Sequence, residues 1–179
     1  MNPDICKKGF SVMELFTHRL IIRSLTKSDL PSFEKTLNEV TRTCMGSPGA
    51  FLDWLIAQYE NMDITATVIS FGIFNKETGE LLGTVGAGRH DDLHEPEIFY
   101  HLLPEFRRHG YATEAAAAIT KWAFENYDLP YLIGTAATDN IKSQNVLERC
   151  GYQYMDTKTL LVHVEGKYYD FKYYRCYKK

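Results

Sequence analysis

An alanine-rich segment at residues 113–127 lies between two short apolar runs, at residues 98–103 and 132–137. Alanine has the highest helix propensity, and Ile119 and Trp122 fall on one side of a helix, so the spacing predicts an amphipathic helix. Each flanking run has the length and apolar content of a strand. Parallel neighbouring strands need a helical crossover of this kind, so we predict an α/β protein built on a strand–helix–strand unit.

Other strands and helices are predicted on both sides of this unit. Pro104 stops the first of its strands because proline has no N–H to donate to a sheet, and the polar segment 75–80 is typical of a hairpin turn. Helices are predicted after Thr26, which begins a capping-box pattern, at residues 51–59 and at residues 140–149. The seven predicted strands are residues 19–23, 65–74, 81–88, 98–103, 132–137, 152–164 and 168–177.

Length, charge and cysteine usage limit the classes of protein that the chain can belong to. A chain of 179 residues with 45% hydrophobic residues is long enough for one domain and too short for two of ordinary size. A net charge of -3 argues against a nucleic-acid or membrane-surface binder, and there is no apolar run long enough for a membrane span. The four cysteines lack the spacing of a zinc site or a disulfide framework, so we expect no metal and a cytoplasmic location.

A basic turn, Arg107-Arg108-His109-Gly110-Tyr111-Ala112, connects the first strand of the central unit to its helix. A helix N-terminus has unpaired N–H groups and the positive end of the helix dipole, and glycine lets a phosphate approach closely. The turn lacks the Lys-Ser or Lys-Thr of a Walker loop and the GxGxxG of dinucleotide folds. It therefore indicates either a phosphate site of another kind or a solvated loop.

A second polar cluster, residues 140–152, follows one helix and one strand later. In a right-handed crossover, Asn140 emerges at the carboxyl end of the strand next to the one that leads into the basic turn. Both clusters are then expected to face one crevice. The alternative is that Asn140 only caps the following helix, with Ser143 an incidental residue of its first turn.

Together the two clusters resemble the GNAT superfamily of acetyltransferases. Arg107, Gly110 and Ala112 match the family signature Arg/Gln-x-x-Gly-x-Gly/Ala, and residues 140–152 match its Asn-x-x-Ser-x-x-x-Leu/Tyr-Glu-x-x-Gly-Phe/Tyr element. The resemblance covers residues 17–177 and is strongest to the Rim-type ribosomal-protein N-acetyltransferases. It implies an N-terminal extension, residues 1–16, before one α/β domain, residues 17–179. Its expected fold is a mixed, mostly antiparallel seven-stranded sheet flanked by about four helices, with the fourth and fifth strands splayed apart.

The resemblance also implies that acetyl-CoA is the cosubstrate. The pantetheine arm is expected between the splayed strands, paired with backbone near Leu102 and Leu103, while the pyrophosphate binds the N–H groups of residues 108–113. Arg107, Arg108 and Lys142 are candidates to reach the 3′-phosphate. The residues expected to bind acetyl-CoA are Leu102, Leu103, Arg107, Arg108, His109, Gly110, Tyr111, Ala112, Thr113, Asn140, Ser143 and Asn145.

Two residues are candidates for catalysis. Glu97 opens the fourth strand, where related enzymes often place a carboxylate that takes the amine proton through water, although it also suits an ordinary strand-end position. Many GNAT enzymes have a tyrosine acid where this chain has Leu147, so Ser143 becomes the candidate acid. Backbone N–H groups near Leu102 are expected to polarise the thioester carbonyl.

Other reactive side chains fit a direct role less well. Cys150 precedes a helix-ending glycine and has no adjacent base, which disfavours a covalent acetyl-cysteine route. Scattered histidines are more often solvated or satisfied than catalytic. The histidines in question are His90, His94, His101 and His109.

The predicted activity is acetyl transfer to a primary amine by direct attack in a ternary complex, with a protein N-terminus as the first acceptor to consider. Amino sugars, polyamines and amino acids remain open, because the acceptor-facing segment 38–49 has no decisive motif. A tyrosine of residues 168–177 is a further candidate to line the acceptor pocket. A non-catalytic acyl-CoA sensor is the alternative from another class, motivated by the missing tyrosine. Monomer and homodimer are both compatible with the sequence.

Overall fold

The computed structural model describes residues 13–37, 46–163 and 165–178. Within these residues the chain forms eight strands and four α-helices. The strands are β1 (Glu14–Phe16), β2 (Leu20–Arg23), β3 (Val68–Asn75), β4 (Leu81–Arg89), β5 (Pro96–Leu102), β6 (Tyr131–Ala137), β7 (Gln153–Val162) and β8 (Lys167–Tyr177). The helices are α1 (Leu30–Thr36), α2 (Pro48–Gln58), α3 (Tyr111–Asn126) and α4 (Ile141–Arg149).

All eight strands belong to one sheet, in the order β1-β2-β3-β4-β5-β6-β8-β7. Strands β5 and β6 are parallel, and every other neighbouring pair is antiparallel. Helix α3 supplies the crossover between the parallel strands, as the alanine-rich segment predicted. The mixed, mostly antiparallel α/β fold is therefore confirmed.

Strands β5 and β6 diverge almost as soon as they meet. They share a single register pair, Glu97 with Ile133, whereas β5 pairs with β4 along its whole length from Pro96 to Leu102. A parallel ladder normally continues at even spacing, so its loss after one pair leaves a gap in the sheet. The expected splay is confirmed, and it lies between the fifth and sixth strands because the sheet has one more strand than predicted.

The predicted seven strands were one too few. The extra strand β1 falls within residues 1–16, the segment that was assigned to an extension, and it pairs antiparallel with β2. Met13 just before it is buried, and its N–H donates to Ser24 Oγ at 3.1 Å. Three residues are too few to show an alternating pattern, so only pairing with β2 defines this strand. Of the acceptor-facing segment 38–49, residues 38–45 lie outside the described residues.

Apolar side chains pack on both faces of the sheet. One cluster joins the central strands to α3 through residues such as Ile98, Ile119 and Trp122, as the buried stripe of the helix predicted. A second, smaller cluster packs α1 and α2 on the opposite face and includes Phe33 and Leu55. Of the helices in these described ranges, none has the length and hydropathy needed to cross a bilayer. Strand β5 therefore has covered surfaces on both sides, and its side chains alternate between them.

Candidate active site

A cavity of about 450 Å³ opens beside the gap between β5 and β6 and reaches the first turns of α3 and α4. We call it the first cavity. It brings together the two polar clusters that the sequence predicted to share a crevice. The residues lining it are Tyr100, His101, Leu102, Arg107, Arg108, Gly110, Ala112, Thr113, Asn140, Lys142, Ser143, Asn145, Val146 and Arg149.

Most residues that were predicted to bind acetyl-CoA line this cavity. The exceptions are Leu103, His109 and Tyr111. Four lining residues were not named in advance as cofactor contacts. These are Tyr100, His101, Val146 and Arg149.

The first cavity is strongly basic. Its lining includes four cationic side chains and, among the described residues, neither Asp nor Glu. The whole chain has a net charge of -3, so this concentration of positive charge is local. A cationic cleft of this kind attracts a polyanionic ligand and makes charge-assisted hydrogen bonds to phosphate oxygens. The four cationic residues are Arg107, Arg108, Lys142 and Arg149.

The basic turn leaves the N-terminus of α3 open. Gly110 has a left-handed backbone, with φ 80°, which glycine adopts without strain, and Arg108 is left-handed as well, with φ 69°. The first helical hydrogen bond runs from the Glu114 N–H to the Gly110 carbonyl, and no side chain caps the helix. The preceding N–H groups therefore have no partner within the helix and suit an anion.

Arg19, the residue just before strand β2, braces this turn. Its Nη1 donates to the His109 carbonyl at 2.8 Å, and its Nε donates to Glu114 at 2.8 Å. Its guanidinium also lies 4.6 Å from the centroid of the Tyr111 ring. The His109 carbonyl and the Tyr111 ring thus hold the turn against Arg19, and neither residue is among those that line the first cavity.

The backbone of β5 presents donors to the gap. The Leu103 N–H donates to the Leu82 carbonyl at 2.9 Å and is therefore committed to β4. Because backbone groups point alternately to the two sides of a strand, the N–H groups of Tyr100 and Leu102 point toward the diverged β6. Pairing with an extended ligand is thus available at Leu102 and Tyr100, and not at Leu103 as was predicted. Arg107 Nε donates to the Leu102 carbonyl at 2.9 Å.

Ser143 lies at the cavity wall beside a tyrosine that was not predicted as a site residue. Asn140 caps α4, its Oδ1 accepting from the Ser143 N–H at 3.2 Å, and both residues also line the cavity. The Tyr100 hydroxyl lies 2.8 Å from Ser143 Oγ and donates to the Ser143 carbonyl at 3.0 Å. Burial raises the pKa of Tyr100 to about 12, so its phenol stays protonated near neutral pH.

Glu97 is not on the wall of the first cavity. Its Oε1 accepts the Thr135 N–H at 2.8 Å and the Thr135 hydroxyl at 2.6 Å, so its side chain links β5 to β6 where the backbone ladder has ended. Burial raises the pKa of Glu97, against the opposing influence of His90 and of the two hydrogen bonds from Thr135. The carboxyl group is thus moved toward the range of a general base.

A second cavity, of about 360 Å³, lies on the other face of β5. Phe99 and His101 line it because they alternate along the strand with Tyr100 and Leu102. His101 lines both cavities, and burial together with the charge of Arg107 lowers its pKa. The residues lining the second cavity are Phe33, Thr36, Leu37, Phe51, Trp54, Leu55, Val68, Ser70, Thr84, Phe99 and His101.

His101 was predicted to be either solvated or fully hydrogen-bonded, and its position on the walls of both cavities was not expected. The alternation of apolar and polar residues along the strand could have indicated which side chains share a face, although not that both faces carry a cavity. His90 has a different, structural role, since its Nδ1 accepts the N–H groups of Asp92 and Leu93 in a loop.

Comparison with known proteins assigns the family. A family described as Acetyltransferase (GNAT) domain matches residues 19–153. The chain belongs to the GNAT acetyltransferase family. It is 27% identical over 175 residues to the uncharacterized N-acetyltransferase YoaA of Bacillus subtilis (strain 168), an alignment that covers 94% of this chain and 98% of YoaA.

Two solved structures share the fold of this acetyltransferase. The ribosomal-protein-S5-alanine acetyltransferase from Vibrio fischeri has a TM-score of 0.73 at 15% identity, covering 92% of this chain and 96% of its own. The microcin C7 self immunity acetyltransferase MccE was solved in complex with acetyl-CoA and AMP. It has a TM-score of 0.73 at 15% identity, and the match covers 90% of this chain and 94% of the MccE chain. At sequence identities this low, the comparison shows that the fold is shared and no more.

In this acetyltransferase Leu147, which stands where the family resemblance implied a tyrosine, belongs to the core. It is 1% exposed, and a Cβ on Gly134 of β6 would lie only 2.5 Å from its Cδ2, so the leucine packs directly onto the strand backbone. Cys150 is not among the residues that line the first cavity, and its thiol donates to the Thr113 carbonyl at 3.4 Å. Burial raises the pKa of Cys150 to about 11, which disfavours the thiolate needed for a covalent route.

Proposed function

We propose that this acetyltransferase transfers the acetyl group of acetyl-CoA to a primary amine by direct attack within a ternary complex. The observation that carries the proposal is the first cavity, in which four cationic side chains surround an uncapped helix N-terminus beside an opened strand. Acetyl-CoA supplies the acetyl group already activated as a thioester. Its phosphates and its extended pantetheine arm match, respectively, the basic turn and the backbone donors of β5.

The roles of the cofactor-binding residues follow from their positions. The open N–H groups of Tyr111, Ala112 and Thr113 would bind the pyrophosphate, and the cationic side chains would neutralise its charge. Asn140, Ser143 and Asn145 line the opposite wall, where the pantetheine arm is expected.

Proton donation to the sulfur is assigned to Ser143 together with Tyr100. The two hydroxyl oxygens are 2.8 Å apart and either can be the donor, so a proton lost from one is replaced from the other. The raised pKa of Tyr100 keeps the pair protonated near neutral pH. Tyr100 would thereby supply from β5 the phenol that α4 lacks at Leu147. The N–H groups of Leu102 and Tyr100 would polarise the acetyl carbonyl.

Removal of the amine proton is assigned to Glu97 through a chain of water molecules, because Glu97 lines neither cavity. Glu97 lies on β5 on the same side as Phe99, which lines the second cavity. Its pKa is raised by burial, which narrows the difference from an α-amine with a pKa of about 8. Its contacts with Thr135 also fit a purely structural link between β5 and β6, and the two roles differ in whether they need the negative charge.

A peptide N-terminus is the first acceptor proposed, with small amines as the alternative. The second cavity supports an acceptor site, because it shares His101 with the first cavity while opening on the other face of β5. A sensor without catalysis would bind acetyl-CoA and release no thiol with any amine. Thiol release during incubation with a panel of peptides and small amines therefore separates transfer from binding alone.

The cofactor assignment is tested by the affinity for acetyl-CoA after Arg108→Glu. This change reverses one charge in the first cavity, and we expect the Kd to rise at least about tenfold. Arg89→Glu is the matched control, because Arg89 is an exposed arginine at the end of β4 and lines neither cavity. Equal affinities of the two variants in calorimetry would refute the assignment.

A further inference from the structure

We propose that the acceptor of this enzyme is a primary amine carried by an apolar or aromatic group, and that the second cavity binds that group. The inference rests on the proposed function, because it names the class of amine that the same reaction would use. It depends on three properties of the second cavity: its position next to the first cavity, the aromatic character of its wall, and the absence of charge in its described lining.

The position of the second cavity fixes how an acceptor would lie. His101 lines both cavities, so this end of the second cavity is the one nearest the proposed thioester site. The helices α1 and α2, which contribute Phe33 and Trp54, form the far side. An acceptor with its amine at the His101 end would place its substituent between these helices and β5.

The wall around that substituent is aromatic. Phe33 and Phe51 have ring centroids 5.7 Å apart, and Phe51 and Trp54 have centroids 6.0 Å apart, so the three rings form a continuous surface. Leu37, Leu55 and Phe99 extend it. Trp54 remains 41% exposed although it is among the most apolar side chains of α2. A ring or branched aliphatic group placed here would remove this surface from water.

The described lining of the second cavity has no Asp, Glu, Lys or Arg, and its polar members are the neutral Thr36, Ser70 and Thr84 with His101. A polyamine would bring a second ammonium group into this space without a carboxylate partner, which is costly. An amino sugar would bring several hydroxyl groups to a largely apolar wall. A volume of about 360 Å³ accommodates a ring-sized substituent.

The reaction needs no further reactant. The amine nitrogen forms a bond to the acetyl carbon and the bond from that carbon to sulfur breaks. The amine loses one proton and the sulfur gains one, so the products are an amide and free CoA.

The test compares amines at saturating acetyl-CoA by the rate of thiol release. Phenethylamine and a peptide with N-terminal Phe represent the two sources of an apolar amine, and spermidine and glucosamine represent the other classes. We expect kcat/KM to be about 10- to 100-fold higher for at least one apolar amine than for spermidine and glucosamine, from the burial of one ring. The better of the two apolar amines identifies the source.

A higher kcat/KM for spermidine or glucosamine would overturn the inference while leaving acetyl transfer to an amine intact. Thiol release with none of the amines, in a protein that binds acetyl-CoA, would overturn the proposed function and the inference with it.

A pair of variants tests the cavity itself. Trp54→Ala removes a half-exposed ring from the wall, and Phe16→Ala removes a ring that is 62% exposed on β1, outside both cavities. Trp54→Ala should lower kcat/KM for the preferred apolar amine about tenfold with an unchanged Kd for acetyl-CoA, whereas Phe16→Ala should change neither. Equal kcat/KM values for the two variants would contradict the proposed location of the acceptor.

Discussion

Replacing Tyr100 by Phe removes one oxygen atom from the first cavity and leaves the ring in place. The oxygen is 2.8 Å from Ser143 Oγ and 3.0 Å from the Ser143 carbonyl, which also accepts a helical hydrogen bond. The net loss is therefore close to one hydrogen bond, ~1 kcal/mol, against a total stability of roughly 5–15 kcal/mol. Tyr100→Phe is expected to stay folded.

The effect on catalysis should be much larger than the effect on folding. General acid catalysis contributes roughly 10²–10⁴-fold, and Ser143 can still donate its own proton, so we expect the lower end, a fall in kcat of about 100-fold. That corresponds to ~2.7 kcal/mol in the activation barrier. The Kd for acetyl-CoA should change little. Because the pKa of Tyr100 is raised to about 12, wild-type kcat should not fall through loss of this proton below about pH 9.

The assay is steady-state thiol release, with calorimetry for acetyl-CoA affinity and denaturant titration for stability. Tyr154→Phe is the matched control, because the Tyr154 hydroxyl also lies near a hydroxyl group, 3.0 Å from Thr157 Oγ1, but on the exposed surface of β7. Tyr100→Phe combined with Ser143→Ala should lower kcat less than the product of the single effects, because both substitutions disable the same pair of proton-donating hydroxyl groups. A kcat for Tyr100→Phe within twofold of the Tyr154→Phe value would refute the assignment.

Three further predictions concern other parts of the site. Glu97→Gln keeps an oxygen that can accept from Thr135 but removes the carboxylate that would act as the base. We therefore expect kcat to fall at least about tenfold while acetyl-CoA affinity is retained; unchanged kcat would assign Glu97 to structure alone. Arg19→Ala should raise the Kd for acetyl-CoA several-fold, since the basic turn loses its bond to the His109 carbonyl, and Arg19→Lys should restore part of it. Leu147→Ala should lower the free energy of unfolding by ~3 kcal/mol, and denaturant titration would contradict the core assignment if the loss were below ~1 kcal/mol.

The basic turn and the central crossover could be predicted because their signals are local. The left-handed backbone at residue 110 favours glycine, and the alanine-rich segment predicts a helix through its helix propensity. The order of strand, helix and strand predicts the parallel pair. The meeting of Asn140 and Ser143 with the basic turn followed from that order alone. These inferences needed no knowledge of which distant residues touch.

Two features that differ from the sequence prediction depend on long-range contacts. Leu103 was expected at the pantetheine arm, but its N–H is committed to Leu82, a partner that only the sheet register defines. The extra strand β1 depends on pairing with β2 in the same way.

The sequence by itself determined the family fold, the basic turn and most of the lining of the first cavity, because helix termini, glycine backbones and charge act over a few residues. Only the tertiary structure decided that Tyr100 meets Ser143 and that His101 lies between two cavities. Strand alternation gives two faces, but the elements packed on each face come from distant parts of the chain. Those elements are α4 with Ser143 on one side of β5 and α1 with α2 on the other. Their packing, which propensity and spacing do not encode, places the proposed acid and the proposed acceptor site around the same strand.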